Sequence, residues 1–219
     1  MQDDNVQSSQ GVTLVGAGAP RRQDIVEALN IAPTLIAADG GPNFCFDAGF
    51  APSAVIGDFD SFNSGPAHEL QGARLIRVGE QETTDFEKCL TRIVAPYIVA
   101  TGFTAGRVDH AMAVCSVLAR RLGPPTMVLG HEDIIFAAPE TVELGLPVGM
   151  RLSLFPMIPI TGRSSGLEWP IDGLTLSPLG RLGTSNRVTG PVRLEFDAPG
   201  CLVITPREAL GAALRALTG

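Results

Sequence analysis

At 219 residues, with 45% hydrophobic and 18% charged residues, the chain reads as globular and is long enough for one large or two modest domains. A formal net charge of -7 leaves no basic face for a nucleic-acid backbone or an anionic membrane, so neither is an expected partner. The polar, acidic start "MQDDNVQSSQ" does not read as a signal peptide, no stretch approaches ~18 uninterrupted apolar residues, and the four scattered cysteines contain no C-x-x-C pair; a reduced, cytoplasmic protein is expected.

Short apolar runs closed by Gly or Asp recur along the first part of the chain: "VTLVGAG" (12–18), "TLIAADGG" (34–41), "SAVIGDFD" (53–60), "ARLIRV" (73–78), "YIVATGF" (97–103) and "TMVLG" (126–130). Each predicts a buried strand. Helical patterns lie between them. In "TDFEKCLTRIV", Phe86, Cys89, Leu90, Ile93 and Val94 follow the spacing of one helix face, and Thr84 with Glu87 predicts the cap that starts it. In "RVDHAMAVCSVLARRL", Ala111, Val114, Cys115 and Leu118 form a stripe, with Arg120 and Arg121 at the C-terminal end.

Strands alternating with helices predict an α/β fold with a doubly wound, mostly parallel sheet over residues 1–135. From residue 136 to 219 the texture changes to β-like runs separated by Pro and Gly, "RLSLFPMI", "GLTLSPLG" and "PVRLEFDAPGCLVITP". A small all-β, sandwich-like domain is expected there, ending in an amphipathic segment "REALGAALRAL" that suits a short helix.

Ligands of doubly wound sheets bind beyond the carboxyl ends of the strands. Asp39 follows one predicted strand, Asp58 and Asp60 follow another, and Asp85 and Asp109 open later helices, so all five acids are expected at that edge. Clustered carboxylates repel unless protons, cations or a metal intervene, and hard oxygen ligands suit Mg²⁺. Taken singly, Asp85 and Asp109 are ordinary helix N-terminal acids and Asp39-Gly40-Gly41 an ordinary turn. The pair in "GDFDS" is harder to dismiss, because an Asx-turn needs one Asp and here there are two. Lys88, the only lysine among the 16 Lys and Arg residues, stands one turn after Asp85. "GFTAGRVDH" sets a Gly-containing loop before a helix, with Arg107 able to fork onto a phosphate. "VGAGAP" lacks the third glycine of a dinucleotide fingerprint and the G-K-[ST] of a P-loop, and is read as backbone packing or a minor phosphate contact. Trp169, the sole tryptophan, is by default a packed anchor and otherwise a stacking surface.

The ordered set "ADGGPN", "GDFDS", "EQETTDFEKCL", "GFTAGRVDH", "SSGLEWP" and "GTSN", spanning roughly residues 34–186, resembles the thiamine pyrophosphokinase family. The resemblance implies Mg²⁺-dependent transfer of diphosphate from ATP to the hydroxyl of thiamine, giving AMP, by a homodimer with active sites at the subunit interface. Carried over by position, it implies that Asp58, Asp60 and Asp85 hold metal. It places Asp39, Asn43, Gln81, Thr84 and Arg107 around the nucleotide, and Asp60, Lys88, Arg107 and Asp109 in catalysis, with Asp109 or Asp60 taking the hydroxyl proton. Ser165, Trp169, Ser185 and Asn186 would hold thiamine. The chain departs from the family pattern at Ala105, where a second Gly is frequent, at Glu168, where Lys is common, and at Gly183, where Ser usually stands. Other readings are a pyrophosphokinase for a hydroxymethylpterin, a non-catalytic nucleotide or thiamine binder, and a D-x-D-x-[TV] phosphatase, against which Phe62 stands where Thr or Val is required.

Overall fold

The computed structural model describes residues 5–59 and 72–219, and it divides into two compact units: Met1–Val117 with Leu122–His131, and Leu118–Arg121 with Glu132–Gly219. The first unit contains, in chain order, β1 (Val6–Gln7), β2 (Val12–Val15), α1 (Arg22–Ile31), β3 (Thr34–Ala38), α2 (Gly41–Asp47), β4 (Ala54–Gly57) and β5 (Arg74–Arg77). It continues with α3 (Asp85–Leu90), β6 (Ile93–Val94), β7 (Ile98–Thr101), α4 (Val108–Ala119, whose last two residues belong to the second unit) and β8 (Thr126–Leu129).

Six of these strands form one parallel sheet in the order β5-β4-β3-β2-β7-β8. They are the six runs expected from sequence. Apolar and β-branched residues occupy nearly every position of β2, β3, β4, β7 and β8 because a parallel strand is covered on both faces, and these five are almost wholly buried. At the edge, β5 (RLIR) buries only Ile76, and its exposed arginines discourage pairing with another chain.

The chain steps one way from β2 to β5 and then returns to the other side of β2 with β7. The order reverses between β2 and β7, which is where such a sheet opens a crevice. The loops after these strands are locked together: the Gly16 N–H donates to the Thr101 carbonyl at 2.9 Å and the Gly18 N–H to the Gly102 carbonyl at 2.7 Å. Gly102 has φ +77°, and a Cβ there would lie 2.5 Å from the Gly16 carbonyl oxygen, so only glycine meets both demands.

Two helices differ from the sequence expectation. α3 stops at Leu90, and Ile93 and Val94 leave the anticipated stripe to pair in parallel with β1. Thr91, Ile93 and Val94 are β-branched, Pro96 follows, and a partner strand supplies the hydrogen bonds that a further helical turn would have made. α4 ends at Ala119, before the two arginines expected in its last turn, and Arg121 takes the left-handed φ of +53°.

The second unit contains β9 (Asp133–Ala137), β10 (Thr141–Leu144), β11 (Arg151–Pro156), β12 (Ile160–Leu167), β13 (Thr175–Leu176), β14 (Gly183–Phe196) and β15 (Cys201–Pro206). A 3₁₀ turn (Arg207–Ala209) and α5 (Leu210–Thr218) close it. Its pairings are antiparallel and run β13-β12-β14-β11-β15-β9, with β10 added to β14. The long β14 uses Gly183–Arg187 against β11 and Val188–Phe196 against β12. β14 therefore joins β11, with β15 and β9, to β12, with β13, and to β10. Alternation of buried and exposed residues along β10 and β14 gives each one apolar face.

Three of the four cysteines, Cys45, Cys89 and Cys201, are buried, and burial pushes the Cys45 and Cys201 thiols up to about 12. They act as small core side chains. Among the described residues no helix is long and apolar enough to cross a membrane.

Candidate active site

A cleft of about 560 Å³ opens at the carboxyl ends of the parallel strands. One wall is the turn Gly16–Ala19 after β2, another the loop Gly102–Arg107 after β7, and the remainder comes from Ala38–Gly40, Asp58, residues of the segment Gln81–Lys88, and His110, Ala113 and Val114 on α4. The first wall is braced from behind. Asp24, fully buried in the first turn of α1, accepts from the Arg21 backbone N–H at 3.0 Å and from its guanidinium at 2.9 Å, while Arg21 also donates to the His131 carbonyl at 3.0 Å.

The segment before α3 folds around Glu80. Its carboxylate accepts from the Glu82 and Thr83 N–H groups at 2.8 and 3.0 Å and from the Thr83 hydroxyl, contacts that hold the carboxyl below its ordinary range. Thr84 then caps α3, its hydroxyl accepting from the Glu87 N–H at 3.2 Å. This places Gln81 so that its amide donates to Asp58 at 3.0 Å.

Lys88 is the electrostatic centre. Only 2% of its side chain is exposed, and its ammonium lies 3.5 Å from both Asp58 Oδ2 and Asp85 Oδ1. A buried ammonium without carboxylate partners would carry a large desolvation cost, so the two acids and the lysine hold one another in place. Phe86 and Phe103 form the apolar floor, ring centroids 4.8 Å apart at 52°.

Burial raises the Asp85 pKa, and this outweighs the lowering by nearby Lys88; the charges of Asp39 and Asp58 add to the rise. A carboxyl whose folded pKa lies above its unfolded value binds its proton more readily in the folded state. The ionised form therefore subtracts from stability at neutral pH, and the loss fades as pH falls toward the ordinary value of 3.8. In chelator, Asp85→Asn is accordingly expected to melt no lower than the parent at pH 7, with any gain shrinking by pH 4. A clear fall in Tm at pH 7 would show that the Asp85–Lys88 attraction dominates instead.

Seven sequence-predicted residues come together in this cleft: Asp39, Asp58, Gln81, Thr84, Asp85, Lys88 and Arg107. Asn43 sits half-buried on α2 and does not line it. Asp109 does not line it either; it is exposed and engages Arg107 at 3.1 and 2.6 Å, a pairing that lowers its carboxyl to about 2. Asp60 and Phe62 lie outside the described residues. Among the described residues no group of three His, Cys, Asp or Glu side chains is close enough to hold a metal. The turn Gly16–Ala19, read from sequence as packing or a minor contact, is a full wall; its signal was a glycine pair directly after the first strand of the sheet.

The remaining predicted residues lie in the second unit. Asn186, 5% exposed, is bonded both ways to Trp169: its Oδ1 accepts the Trp169 N–H at 3.1 Å and its amide donates to the Trp169 carbonyl at 2.6 Å. The indole is left 53% exposed, so Trp169 is a presented ring and not the packed core anchor that is a tryptophan's default. Ser185 takes φ +60° and donates its N–H to the Ser153 hydroxyl at 2.9 Å. Ser165, exposed on β12, precedes the irregularity at Gly166. Glu168 pairs with Arg187 at 3.3 Å, so the charge beside Trp169 is balanced within the chain.

Residues 25–128 match the family described as thiamin pyrophosphokinase, catalytic domain. Thiamine pyrophosphokinase 1 of Oryza sativa subsp. japonica is 27% identical over 198 residues, 74% of this chain and 75% of its own length. Thiamin pyrophosphokinase 1 of Caenorhabditis elegans is 30% identical over 156 residues, 63% of each chain. Among solved structures, yeast thiamin pyrophosphokinase superposes with a TM-score of 0.75 at 15% identity, over 99% of this chain and 90% of that one. The Candida albicans enzyme gives 0.73 at 16%, over 93% and 94%, and at these identities the two superpositions speak to the fold. The matched span holds the whole cleft beyond its first wall, with its carboxylates, its lysine and its capped α3, so over residues 25–128 the chain is similar to the catalytic domain of thiamin pyrophosphokinases.

Proposed function

We propose that this protein is a thiamine diphosphokinase: the thiamine hydroxyl oxygen attacks the β-phosphorus of ATP, the bond from that phosphorus to the α,β-bridging oxygen breaks, and AMP leaves. The observation that carries the reading is the meeting of Asp58, Asp85, Gln81 and Lys88 in the cleft at the carboxyl ends of a parallel sheet, on the segments that carry the family's motifs. Such a transfer asks the protein for alignment and charge neutralisation more than for covalent chemistry.

Lys88 supplies one fixed positive charge and Arg107 a second at the rim, where its guanidinium is 70% exposed and free to exchange Asp109 for a phosphate. Thr84 and Gln81 border the phosphates, and Asn43 on α2 is assigned to the nucleotide by the resemblance alone. The carboxylate oxygens of Asp58 and Asp85 face one cleft and share one cation, a hard donor set that fits Mg²⁺, and Asp60 is assigned as a third ligand. When bound, Mg²⁺ neutralises charge on the transferring group. Asp60 or Asp109 accepts the hydroxyl proton; Asp109, ionised and exposed, is available once Arg107 turns to phosphate.

Trp169, held by Asn186, offers its ring to the thiamine pyrimidine, with Ser165 and Ser185 as polar contacts. A cytoplasmic homodimer is the assembly assigned to it. AMP formation from ATP and Mg²⁺ with thiamine, compared with a hydroxymethylpterin and with no alcohol, tests the reading. Thiamine-dependent AMP is expected; pterin-dependent AMP would move the assignment to the other acceptor, and none with either would reduce the protein to a binder.

A further inference from the structure

The family resemblance implies a nucleotide contact for Asp39, but its surroundings assign it different work. Asp39 lies directly after β3 and is 4% exposed. Its backbone N–H donates to the Ile56 carbonyl at 2.9 Å, and its Oδ1 accepts the Phe59 N–H at 3.0 Å. These two bonds clasp the chain on either side of Gly57-Asp58. The packing is equally close: a Cβ on Gly57 would lie 2.8 Å from the Asp39 Cβ and 2.9 Å from its Oδ1, so Gly57 is glycine because Asp39 occupies the space.

Phe59 explains why a clasp is needed. Its φ is +66°, a left-handed conformation that costs a bulky residue ~1–2 kcal/mol. The ring packs against the core cluster of Val15, Leu35, Ala37 and Val55, which fixes the side chain, while Asp39 fixes the N–H. Held at both points, the turn presents Asp58 to Gln81 and Lys88. The middle residue of the D-F-D sequence is thus an anchor and not a spacer.

We propose that Asp39 is a positioning residue: its carboxylate oxygen accepts the Phe59 N–H and so holds the turn that aims Asp58 into the cleft, acting as an acceptor and not as a charge on nucleotide or metal. The proposal rests on the transferase reading for its kinetic consequence, but the clasp itself is readable without turnover. Asp39→Asn keeps an oxygen acceptor and removes the charge; Asp39→Ala removes both.

The test measures Phe59 amide hydrogen exchange in both variants, with kcat and KM for ATP alongside. In Asp39→Asn, Phe59 protection is expected to persist and kcat to stay within about fivefold of the parent, since the geometry is kept. In Asp39→Ala, Phe59 exchange is expected to quicken at least about tenfold. Its kcat is expected to fall about 100-fold with KM for ATP changed less than about threefold, the signature of a displaced reacting group. Asn as inactive as Ala, a KM for ATP raised in Asn by about tenfold or more, or unchanged Phe59 exchange in Ala would overturn the proposal. If Ala does not fold, the Asn variant alone decides. If the parent forms no thiamine-dependent AMP, the transferase reading fails while the Phe59 exchange still decides the clasp.

Discussion

Lys88→Met is expected to lower kcat by ~100- to 1000-fold while leaving a folded protein, the range found when one preorganised charge or donor is removed from a transition-state site. The methionine fills most of the lysine's volume, so packing around α3 survives and only the ammonium is lost. Its loss leaves Asp58 and Asp85 without their shared cation. Neither becomes a fully buried orphan, because Asp58 keeps the Gln81 amide and Asp85 is 46% exposed. The stability cost should therefore stay below the ~3–5 kcal/mol typical when a buried pair loses one member. Lys88→Arg should not restore the rate, since a planar fork does not fit where a compact ammonium lies between two carboxylates. Single-turnover AMP formation and a thermal melt on the same preparations decide it. Near-parent turnover in Lys88→Met would remove Lys88 from the chemistry.

Phe86→Ala is expected to give the largest loss of stability, ~3–5 kcal/mol, the usual cost of emptying a fully buried aromatic site. Phe86 is 2% exposed, packs against Phe103 with the rings tilted at 52°, and stands two residues before Lys88 on the same short helix. For a protein of this size the loss corresponds to a Tm lower by roughly 6–20 °C. Phe86→Leu keeps most of the volume and should cost less than ~1.5 kcal/mol. Because the two rings form the cleft floor, Phe86→Ala should also reduce activity at temperatures where the protein is still folded. A change below ~1 kcal/mol would mean that the aromatic floor is a surface feature and not part of the core.

The parallel sheet was legible because five of its six strands obey one strong rule: buried on both faces, they read as nearly unbroken apolar runs closed by Gly or Asp, whereas the edge strand β5 buries only Ile76. Helix ends were less legible. Ile93 and Val94 fit the helical stripe and nonetheless pair with β1, because periodicity cannot register a partner strand 87 residues away in sequence. The acids at the sheet edge were found by topology, and Asp39, Asp58 and Asp85 do share the cleft. Asp109 follows the same rule of position yet engages Arg107, since sequence gives location along the edge but not which way a side chain turns. Phe59 was the least legible: nothing in the letters D-F-D announces that the central residue is left-handed and clasped by an aspartate at the end of the neighbouring strand β3. Nor does sequence reveal that Asn186 reaches across to hold Trp169 with both its amide oxygen and its amide nitrogen, seventeen residues away.

The central claim is transfer of an intact diphosphate at the switch-point cleft. Incubation with Mg²⁺, thiamine and ATP labelled in its β-phosphate tests it most directly, with products separated and counted. The label is expected to move entirely into thiamine diphosphate, with one unlabelled AMP formed for each, and to remain in ATP with Lys88→Met. Labelled ADP accompanied by thiamine monophosphate, or label that stays in ATP with the parent protein, would contradict it.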